Sequence, residues 1–379
     1  MEKMKNKEWF ALIIIFFSIY MVLISCGKKK AEWKGTIEEE NGVTVVRNPK
    51  EPIYRENVFS LEEELVIGEE NKGDEYMFSE IIDVAIDDEE NIYILDLKDA
   101  HIKVFNKNGE YLRTIGRRGQ GPGEMQRATN ITITPGNEIL VNDRGARFLH
   151  FFKLNGDYIK SLSLASIPFF HRPKVDSQHN IIARYMFMDK SAVFVLAKFD
   201  SELNLIFTIF SNELAVTPGV LNLFAPNCFW GIANDDSIIW GYSNKYEFNI
   251  LDRAGRVIRK IIKDYNPVEI TQEEKQKWIM DTYGKEGIPP NEKVNWNKNH
   301  NAFQSMNIDD GGRIFVQTYE RISDGTGYYY DVFDPEGKYI VKIPLKSRPF
   351  IFKKSKLYTV EEDKEGYQLV KRYKVRWSI

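Results

Sequence analysis

Arginine is the residue type whose placement in this sequence most clearly suggests chemistry. Five arginines lie close together in the first half of the chain, at Arg117, Arg118, Arg127, Arg144 and Arg147. A guanidinium group is a planar fork of N–H donors that matches carboxylate and phosphate oxygens. The cluster therefore predicts contact with an anionic molecule, and an ordinary solvated surface is the alternative interpretation.

The usual catalytic and metal-binding patterns do not occur in the sequence. The Gly119–Gly123 segment lacks the Gly-Lys-Ser/Thr ending of a phosphate loop, and the five histidines show no pair at metal-ligand spacing. The acidic runs Asp87–Glu90 and Asp309–Asp310 do not follow the alternating ligand pattern of a calcium loop. No Gly-x-Ser-x-Gly motif is present, and Cys228 has no neighbouring base in the sequence. The sequence therefore predicts no catalytic residue, no metal site and no cofactor.

The composition predicts a folded body without a strong overall charge. The 379 residues are 43% hydrophobic and 28% charged, which excludes a disordered chain and a collagen-like repeat. The formal net charge is only −3, so nucleic acid is not an expected partner. Two cysteines, Cys26 and Cys228, are too few for a disulfide framework.

The N-terminus predicts export and lipid attachment. Lysines in the first eight residues precede an apolar run from Trp9 to Ile24, which is the arrangement of a secretory signal. The run is slightly short for a retained transmembrane anchor, which is the second choice. Leu23-Ile24-Ser25-Cys26 resembles the bacterial lipobox, in which the cysteine is acylated and becomes the new N-terminus. We therefore expect a signal peptide over residues 1–25, a lipid such as palmitate on Cys26, and a tether over residues 26–58 with at most a short strand at Val43–Val46.

An internal repeat indicates the architecture. The segment from Ile82 to Asp96 recurs 47 residues later from Thr129 to Asp143. A first hairpin, with two apolar residues around a polar turn, occurs six times: Ile86/Ile92, Ile133/Ile139, Val175/Ile181, Ile232/Ile238, Ile308/Ile314 and Ile351/Leu357. A second hairpin of the same spacing occurs five times: Phe105/Tyr111, Phe152/Tyr158, Phe199/Leu205, Leu251/Val257 and Phe333/Tyr339. Four strands per unit, repeated six times, predict an all-β six-bladed propeller of four-stranded antiparallel blades over residues 59–379.

The sixth unit lacks room for a fourth strand, because the chain ends at Ile379 soon after the predicted strand Tyr367–Val375. We expect Phe59–Ile67 to supply the missing strand by pairing with the C-terminal strand, which would close the ring. The expected charge pairs place Glu62, Glu63 and Glu64 opposite Lys371, Arg372 and Lys374. Opposite charges across a strand pair favour this partner.

The interval between the fourth and fifth units is 76 residues and predicts a small helical insertion at about residues 267–300. Thr271-Gln-Glu-Glu274 is a capping box, so a helix is expected from there to about Tyr283, ending at Gly284. One side of this helix carries Trp278, Ile279, Thr282 and Tyr283. This stripe is expected to dock the helix on the propeller, and a groove for a protein partner is the alternative.

The start of each innermost strand should line the central channel. The residue three positions before each first apolar marker is, in chain order, Asp83, Asn130, Arg172, Phe229, Ser305 and Arg348. A metal cage would need more acidic members than this ring contains. Two arginines and one carboxylate fit a polar or anionic ligand better, and pairing of these groups with one another is the alternative.

The connectivity of such blades sorts the loops onto two faces. Links between blades, and between the second and third strands, lie on one face, which we call the connection face. Both hairpin turns lie on the opposite face, which we call the turn face. The connection face receives the five clustered arginines, and the turn face receives Asp87, Asp88, Glu89, Glu90, Asp235, Asp236, Asp309 and Asp310. We expect the two faces to be electrically unlike, with the connection face meeting an anionic envelope component.

A family resemblance agrees with this architecture. Gly116-Arg-Arg-Gly-Gln-Gly-Pro-Gly-Glu-Met125, preceded by the predicted strands Ile92–Asp96 and His101–Phe105, resembles the repeats of NHL-type six-bladed β-propellers. The chain is similar in particular to bacterial lipoprotein propellers over nearly all of residues 59–376, most closely in the first two repeats. Related lactonase-like and lyase-like propellers gather carboxylates and histidines around a metal in the channel.

These observations predict a membrane-anchored propeller of the bacterial cell envelope, facing the periplasm or the exterior, that binds or scaffolds another envelope molecule. The candidate ligand-binding residues are Asp83, Asn130, Arg172, Ser305 and Arg348 in the channel, and Arg117, Arg118, Arg144 and Arg147 on the connection face. An extracytoplasmic hydrolase or lyase with a metal in the channel is the alternative. A further possibility is a protein partner engaged through the helical insertion.

Overall fold

Short strands joined by polar turns make up most of the chain. The structure, a computed structural model, describes residues 32–55, 58–69, 72–167, 169–188, 191–214 and 217–378, and Lys34–Ile379 form one compact unit. The predicted signal peptide and Cys26 lie outside the described residues. The first three strands are β1 (Thr36–Glu40), β2 (Val43–Asn48) and β3 (Phe59–Ile67), followed by a 3₁₀ turn at Asp74–Tyr76.

The strands after β3 form six antiparallel sheets in chain order. Blade 1 contains β4 (Ile81–Ile86), β5 (Ile92–Asp96), β6 (His101–Phe105) and β7 (Tyr111–Ile115). Blade 2 contains β8 (Ala128–Ile133), β9 (Glu138–Asp143), β10 (Phe148–Lys153) and β11 (Tyr158–Ser163). Blade 3 contains β12 (His171–Val175), β13 (Ile181–Met188), β14 (Ala192–Phe199) and β15 (Leu205–Leu214).

The second half of the chain continues this pattern after a short strand, β16 (Val220–Asn222). Blade 4 contains β17 (Cys228–Ile232), β18 (Ile238–Tyr242), β19 (Glu247–Leu251) and β20 (Val257–Lys263). After helix α1 (Gln272–Tyr283), a 3₁₀ turn (Gly284–Glu286) and β21 (Lys293–Asn295), blade 5 contains β22 (Ser305–Ile308), β23 (Ile314–Arg321), β24 (Tyr328–Phe333) and β25 (Tyr339–Leu345). Blade 6 contains β26 (Pro349–Lys353), β27 (Lys356–Glu362), β28 (Gln368–Trp377) and β3. The fold is therefore an all-β six-bladed propeller, as the repeat predicts.

The hairpin turns have a recurring local chemistry. In many of them an Asp or Asn side chain accepts hydrogen bonds from the backbone N–H groups two and four residues further on. Asp87 accepts from Glu89 and Asn91, and Asp252 accepts from Ala254 and Arg256. Such side-chain bonds stabilise a turn without any bound ion. The acidic runs of the turn face are thus explained as turn-forming residues.

The hydrophobic core lies between neighbouring blades. Phe105 and Phe152 are fully buried, and Ile102 of blade 1 packs in the same cluster as Ile139 of blade 2. Two ion pairs are also buried, Lys198 with Asp176 at 2.9 Å and Lys263 with Asp331 at 3.3 Å. Buried charges require such partners because isolated ions are costly to desolvate.

The ring is closed by the pairing that the charges predict. β3 pairs antiparallel with β28, from Ile67 opposite Val370 to Phe59 opposite Trp377. Glu63 binds Lys371 at 3.1 Å and Glu64 binds Arg372 at 3.2 Å. The third expected pair is different: Glu62 lies opposite Lys374 in register but forms its ion pair, at 2.5 Å, with Arg376. A bulge between Arg372 and Tyr373 shifts the register near this point.

The segment predicted as a tether contains more structure than one short strand. β1 and β2 form a hairpin, and β2 adds parallel to β20 at the outer edge of blade 4. Val45 and Val46 are buried there, and Asn48 donates from Nδ2 to the carbonyl of Gly337 at 2.9 Å. The apolar Val43–Val46 run is short, so the sequence pattern alone did not reveal its partner strands.

The insertion between blades 4 and 5 has the predicted helix. Both hydrogen bonds of the capping box form between Thr271 and Glu274, and Gly284 ends the helix at φ 64°. The helix packs mainly within the insertion, because Trp278 lies against Trp296 at 5.7 Å and Glu274 lies 3.4 Å from His300. Thr282, expected on the docking side, is exposed. In the described part of the chain, no helix is long and apolar enough to span a membrane.

Candidate functional site

The innermost strands of the blades surround a central cavity of about 560 Å³. Its wall includes all six predicted channel residues: Asp83, Asn130, Arg172, Phe229, Ser305 and Arg348. The wall also contains four basic residues that the sequence analysis did not select: His171, Lys174, Arg184 and Lys353. The repeat therefore positions side chains from all six blades around one space.

Arg172 occupies an unusual backbone conformation at this site. Its φ of 49° is in the left-handed region, which is unfavourable for a residue with a β-carbon. The register of β12 against β13 shifts between His171 and Lys174, so Arg172 lies in a bulge. Pro173 follows it and has no N–H to offer to a strand partner, which makes this point of the strand suitable for a bulge. The bulge determines how the Arg172 side chain enters the channel.

The lining is strongly unbalanced in charge. It contains the cations Arg172, Lys174, Arg184, Arg348 and Lys353, and the single carboxylate Asp83. Burial lowers the pKa of Lys174 and of Arg348, and the nearby charge of Arg172 lowers both further. The charge of Arg172 thus disfavours the charged forms of Lys174 and Arg348, which a bound anion would relieve.

Several of these cations have no partner in the protein. Lys353 is paired with Asp88 at 2.8 Å, and Arg184 donates to Asn227 Oδ1 and to the Cys228 carbonyl at 2.9 Å. Among the residues that the structure describes, the side chains of Arg172, Lys174 and Arg348 form neither a hydrogen bond nor an ion pair. These three cations are therefore available to oxygen atoms of a ligand.

Asp83 and Asn130 form the polar counterpart of the cations. The Asp83 carboxylate accepts hydrogen bonds from Asn130 Nδ2 and, at 3.0 Å, from the backbone N–H of Ile131. Burial raises the pKa of Asp83, although the charge of Arg172 opposes this rise. Only 8% of the Asn130 surface is exposed, and its Oδ1 atom has no hydrogen-bond partner among the described residues. An unpaired buried acceptor is costly, so this atom suits a donor group on a ligand.

His171 is a poor candidate for proton transfer or for binding an anion by charge. Burial lowers its pKa to about 4, and the charges of Arg184, Arg172 and Arg144 act in the same direction. Its imidazole is therefore neutral near pH 7. The neighbouring Cys228 thiol is buried, which raises its pKa to about 12 and leaves it unreactive.

A second cavity, of about 450 Å³, adjoins the channel next to blade 5. The two cavities share Ser305 and Arg348 in their walls. The second cavity is also lined by Tyr328, Tyr330 and Arg321, and the Arg321 guanidinium lies 5.1 Å from the Tyr328 ring centroid. Arg348 can therefore contact a ligand bound in either cavity.

The arginines predicted on the connection face have mostly local roles. Arg117 pairs with Glu124 at 2.8 Å, and Arg118 donates to the carbonyls of Gln126 and Lys98. Arg147 donates to the carbonyls of Leu164 and Ala165, both at 3.1 Å. None of these arginines lies among the residues lining the channel cavity. Their guanidinium groups fix loops, which a sequence pattern cannot distinguish from ligand binding.

The charge contrast between the faces is also reduced at the turn face. Asp88 is paired with Lys353, and Glu90 with Lys356, both lysines coming from blade 6. Asp310 accepts a hydrogen bond from the backbone N–H of Lys354 at 2.6 Å. Asp236 is paired with Arg253 at 3.1 Å. These contacts neutralise several of the carboxylates that were expected to form an acidic surface.

Metal binding does not match the donor groups that are present. In the channel only Asp83 could offer a carboxylate, and it already accepts two hydrogen bonds from Asn130 and Ile131. Elsewhere in the described residues, Asp96, Asp99 and His101 bring ligand atoms within 4.8 Å of one another. Asp96, however, accepts four backbone hydrogen bonds, for example from Ser79 at 2.6 Å. It is a loop-fixing residue, as is Asp143 of blade 2, which also accepts four.

The residues that the sequence analysis missed had a partial signal. Lys174 follows Arg172 by two positions in the same inner strand, so a search along each strand could have found it. Arg184 lies on the neighbouring strand β13, opposite His171, and is found only when the register is known.

Comparisons with known proteins agree with the fold. The sequence model of a family described as a six-bladed β-propeller, DUF5128, matches residues 72–222. No curated protein matches the sequence significantly.

Solved structures share the architecture at low sequence identity. A Bacteroides fragilis protein described as exported is 11% identical, with a TM-score of 0.59, over 89% of this chain and 100% of its own. A Bacteroides vulgatus member of the DUF4221 family is 12% identical, with a TM-score of 0.53, over 85% of this chain and 99% of its own. At these identities the similarity concerns the fold alone.

Proposed function

We propose that this protein is a lipid-anchored propeller of the bacterial cell envelope that binds an anionic molecule in its central channel. The observation that carries the proposal is that Arg172, Lys174 and Arg348 line one cavity and, among the described residues, form no hydrogen bond or ion pair, while Asp83 is the one carboxylate among the described lining residues. Cations gathered on one cavity wall without a protein acceptor form a candidate site for a ligand that carries negative charge. Carboxylate, phosphate and sulfate groups all suit this arrangement.

The ligand should also carry a hydrogen-bond donor close to its anionic group. Asn130 Oδ1 is buried and unpaired, and its side chain also contacts Asp83. A hydroxylated or amide-bearing acid can satisfy the arginines and Asn130 at the same time. The adjoining cavity with Tyr328 and Tyr330 offers room for the uncharged part of such a molecule.

Binding can be tested by thermal unfolding of the purified protein with a panel of anions. The panel contains phosphate, sulfate, citrate, galacturonate and glucuronate. A ligand should raise the unfolding temperature of the wild type and not of Arg172→Ala or Arg348→Ala. The matched control is Arg256→Ala, because Arg256 is an exposed turn arginine paired with Asp252. The proposal fails if no anion produces a shift that depends on Arg172 and Arg348, or if Arg256→Ala removes the shift equally.

The anchor is supported by the lipobox-like residues before Cys26 and by the resemblance to NHL-type lipoprotein propellers. The exported description of the Bacteroides fragilis relative is consistent with a location outside the cytoplasm. Cells grown with an alkyne-tagged fatty acid should label the wild type and a Cys228→Ser variant. A Cys26→Ser variant should not be labelled. Equal labelling of Cys26→Ser would contradict the anchor.

The hydrolase or lyase alternative has less support. The described residues that line the channel do not include the set of carboxylates and histidines that a metal would require, and His171 among them is held neutral by nearby cations. A protein partner at the insertion also has no specific observation in its favour, because helix α1 packs against Trp296 of its own segment.

A further inference from the structure

Blade 3 carries a group of exposed apolar side chains on the connection face. We call Phe169, Met186, Phe187 and Met188 the apolar tip. Phe169 is 50% exposed and Met188 is 63% exposed. Strand β12 pairs with β13 only as far as Arg184, so the end of β13 extends beyond the inner strand of its blade. These residues are therefore presented outward from the ring.

The apolar tip lies next to partly and fully buried aromatic rings and is bordered by cations. The Phe187 ring lies 6.4 Å from Tyr185, which lies 6.2 Å from Phe170, the neighbour of Phe169. The guanidinium groups of Arg144 and Arg147 lie 5.1 and 5.7 Å from the Phe169 ring. Aromatic and apolar side chains next to arginine are the combination that suits the interface of an anionic bilayer.

The start of the folded body lies on the same face. β20 runs from the turn face to the connection face, and β2 is parallel to it. β1 is antiparallel to β2, with Thr36 opposite Arg47, so Thr36 lies at the connection-face end of blade 4. Blade 4 follows blade 3 in the ring. Cys26 precedes Thr36 by only ten residues, which span at most about 35 Å when fully extended.

We infer that the connection face lies against the membrane, with the apolar tip at the boundary between headgroups and acyl chains. This inference rests on the proposed lipid anchor at Cys26. The exposed Arg144 lies where it can contact lipid phosphates, whereas the Arg147 guanidinium is held by backbone carbonyls. The short chain between the anchor and Thr36 keeps this face close to the bilayer. The channel residues Asp83, Arg172 and Arg348 lie at the membrane-facing ends of their strands.

The inference can be tested with the full acylated chain in vesicles of phosphatidylethanolamine and phosphatidylglycerol. An environment-sensitive fluorophore is attached to Met188→Cys, and Cys228 does not compete because its thiol is buried. The matched control is Glu202→Cys, an exposed position in the hairpin turn between β14 and β15 of the same blade, on the turn face. The label at 188 should shift to the blue and be quenched by spin-labelled lipids, whereas the label at 202 should report water. Adding Phe187→Glu should return the label at 188 toward the aqueous signal while the protein still floats with the vesicles.

The outcomes separate the two proposals. If the protein does not float with the vesicles, the lipid anchor is wrong and the orientation is wrong with it. If it floats but the labels at 188 and 202 behave alike, the orientation alone is wrong. A blue shift at 188 without quenching by spin-labelled lipids would indicate contact with protein, such as a second copy, and would also overturn the inference.

Discussion

Because the backbone of Arg172 is left-handed, we expect glycine at this position to be more stable than alanine, which is the reverse of the usual order in a strand. A β-carbon at a φ of 49° costs on the order of 1 kcal/mol, and glycine does not carry this cost. Arg172→Ala and Arg172→Gly both remove the channel charge, so the difference between them isolates the backbone. Arg172→Gly should be more stable than Arg172→Ala by about 1 kcal/mol.

Arg184 provides the matched comparison. It also lines the channel, but it lies in the regular ladder of β13 opposite Leu196. In a strand interior glycine is less stable than alanine by roughly 0.5–1 kcal/mol. The order of the two variants should therefore be opposite at positions 172 and 184, which gives a combined difference of about 1.5–2 kcal/mol.

The assay is urea unfolding of the full chain, with tryptophan fluorescence as the signal. The midpoints and slopes of all four variants are compared, because equal slopes are needed before midpoints represent stability. If Arg172→Ala is as stable as Arg172→Gly, the backbone at 172 is not left-handed. The bulge would then not explain how the Arg172 side chain reaches the channel.

Three further predictions concern closure of the ring, the loss of stability at low pH and the free thiol of Cys228. Deleting residues 370–379 removes the strand that joins β27 to β3, so the ring should open and calorimetry should show loss of the cooperative transition; an unchanged transition would contradict the closure. Burial alone would raise the pKa of Asp143, but the His150 imidazole 3.6 Å away and hydrogen bonds from the backbone N–H groups of Gln126, Ala146 and Arg127 outweigh this effect and hold the pKa at about 2. Because a lowered pKa stabilises the folded state only above the unfolded value, this contribution of about 2 kcal/mol should be present near neutral pH and disappear as the pH falls from about 4 to 2. Asp143→Asn should therefore have a lower free energy of unfolding at pH 7, and this free energy should fall less steeply than that of the wild type between about pH 4 and 2. The assignment would be refuted if urea unfolding at several pH values gave the same pH dependence for both proteins. Burial raises the pKa of Cys228 to about 12, so iodoacetamide at pH 8 should modify it, by mass spectrometry, only after unfolding; rapid modification of the native protein would show that the thiol is accessible.

The sequence predicted the ring well because its information is periodic. Ile86/Ile92 and Ile133/Ile139 repeat at a fixed displacement, and each pair ends one strand and begins the next. The closing strand could be predicted because Glu62–Glu64 needed basic partners. The ion pair of Glu62 with Arg376 instead of Lys374 could not, since both lysine and arginine lie within reach of Glu62 and the choice between them depends on side-chain conformation.

The candidate site was predicted by position but not by chemistry. Counting back from each apolar marker placed Arg172 and Arg348 in the channel, although the same counting could not reveal the backbone of Arg172. The arginines of the connection face could in principle bind an anion, but the guanidinium groups of Arg118 and Arg147 donate hydrogen bonds to backbone carbonyls instead. Whether a guanidinium group is free depends on loop conformation, which composition and spacing do not determine.

The contrast between these two groups of arginines supports the channel as the binding site. A guanidinium bound to carbonyls, as in Arg147, has exchanged water for protein acceptors and gains little from an anion. Among the described residues Arg172 and Arg348 have no such acceptors, and the charge of Arg172 disfavours the charged forms of Arg348 and Lys174. A ligand that brings negative charge into this space recovers the repulsion as binding energy, and the strained backbone at Arg172 keeps one of the cations in place before the ligand arrives. The bulge thus positions one of three cations that lack a protein partner, and an anionic ligand would release the free energy of the repulsion among them.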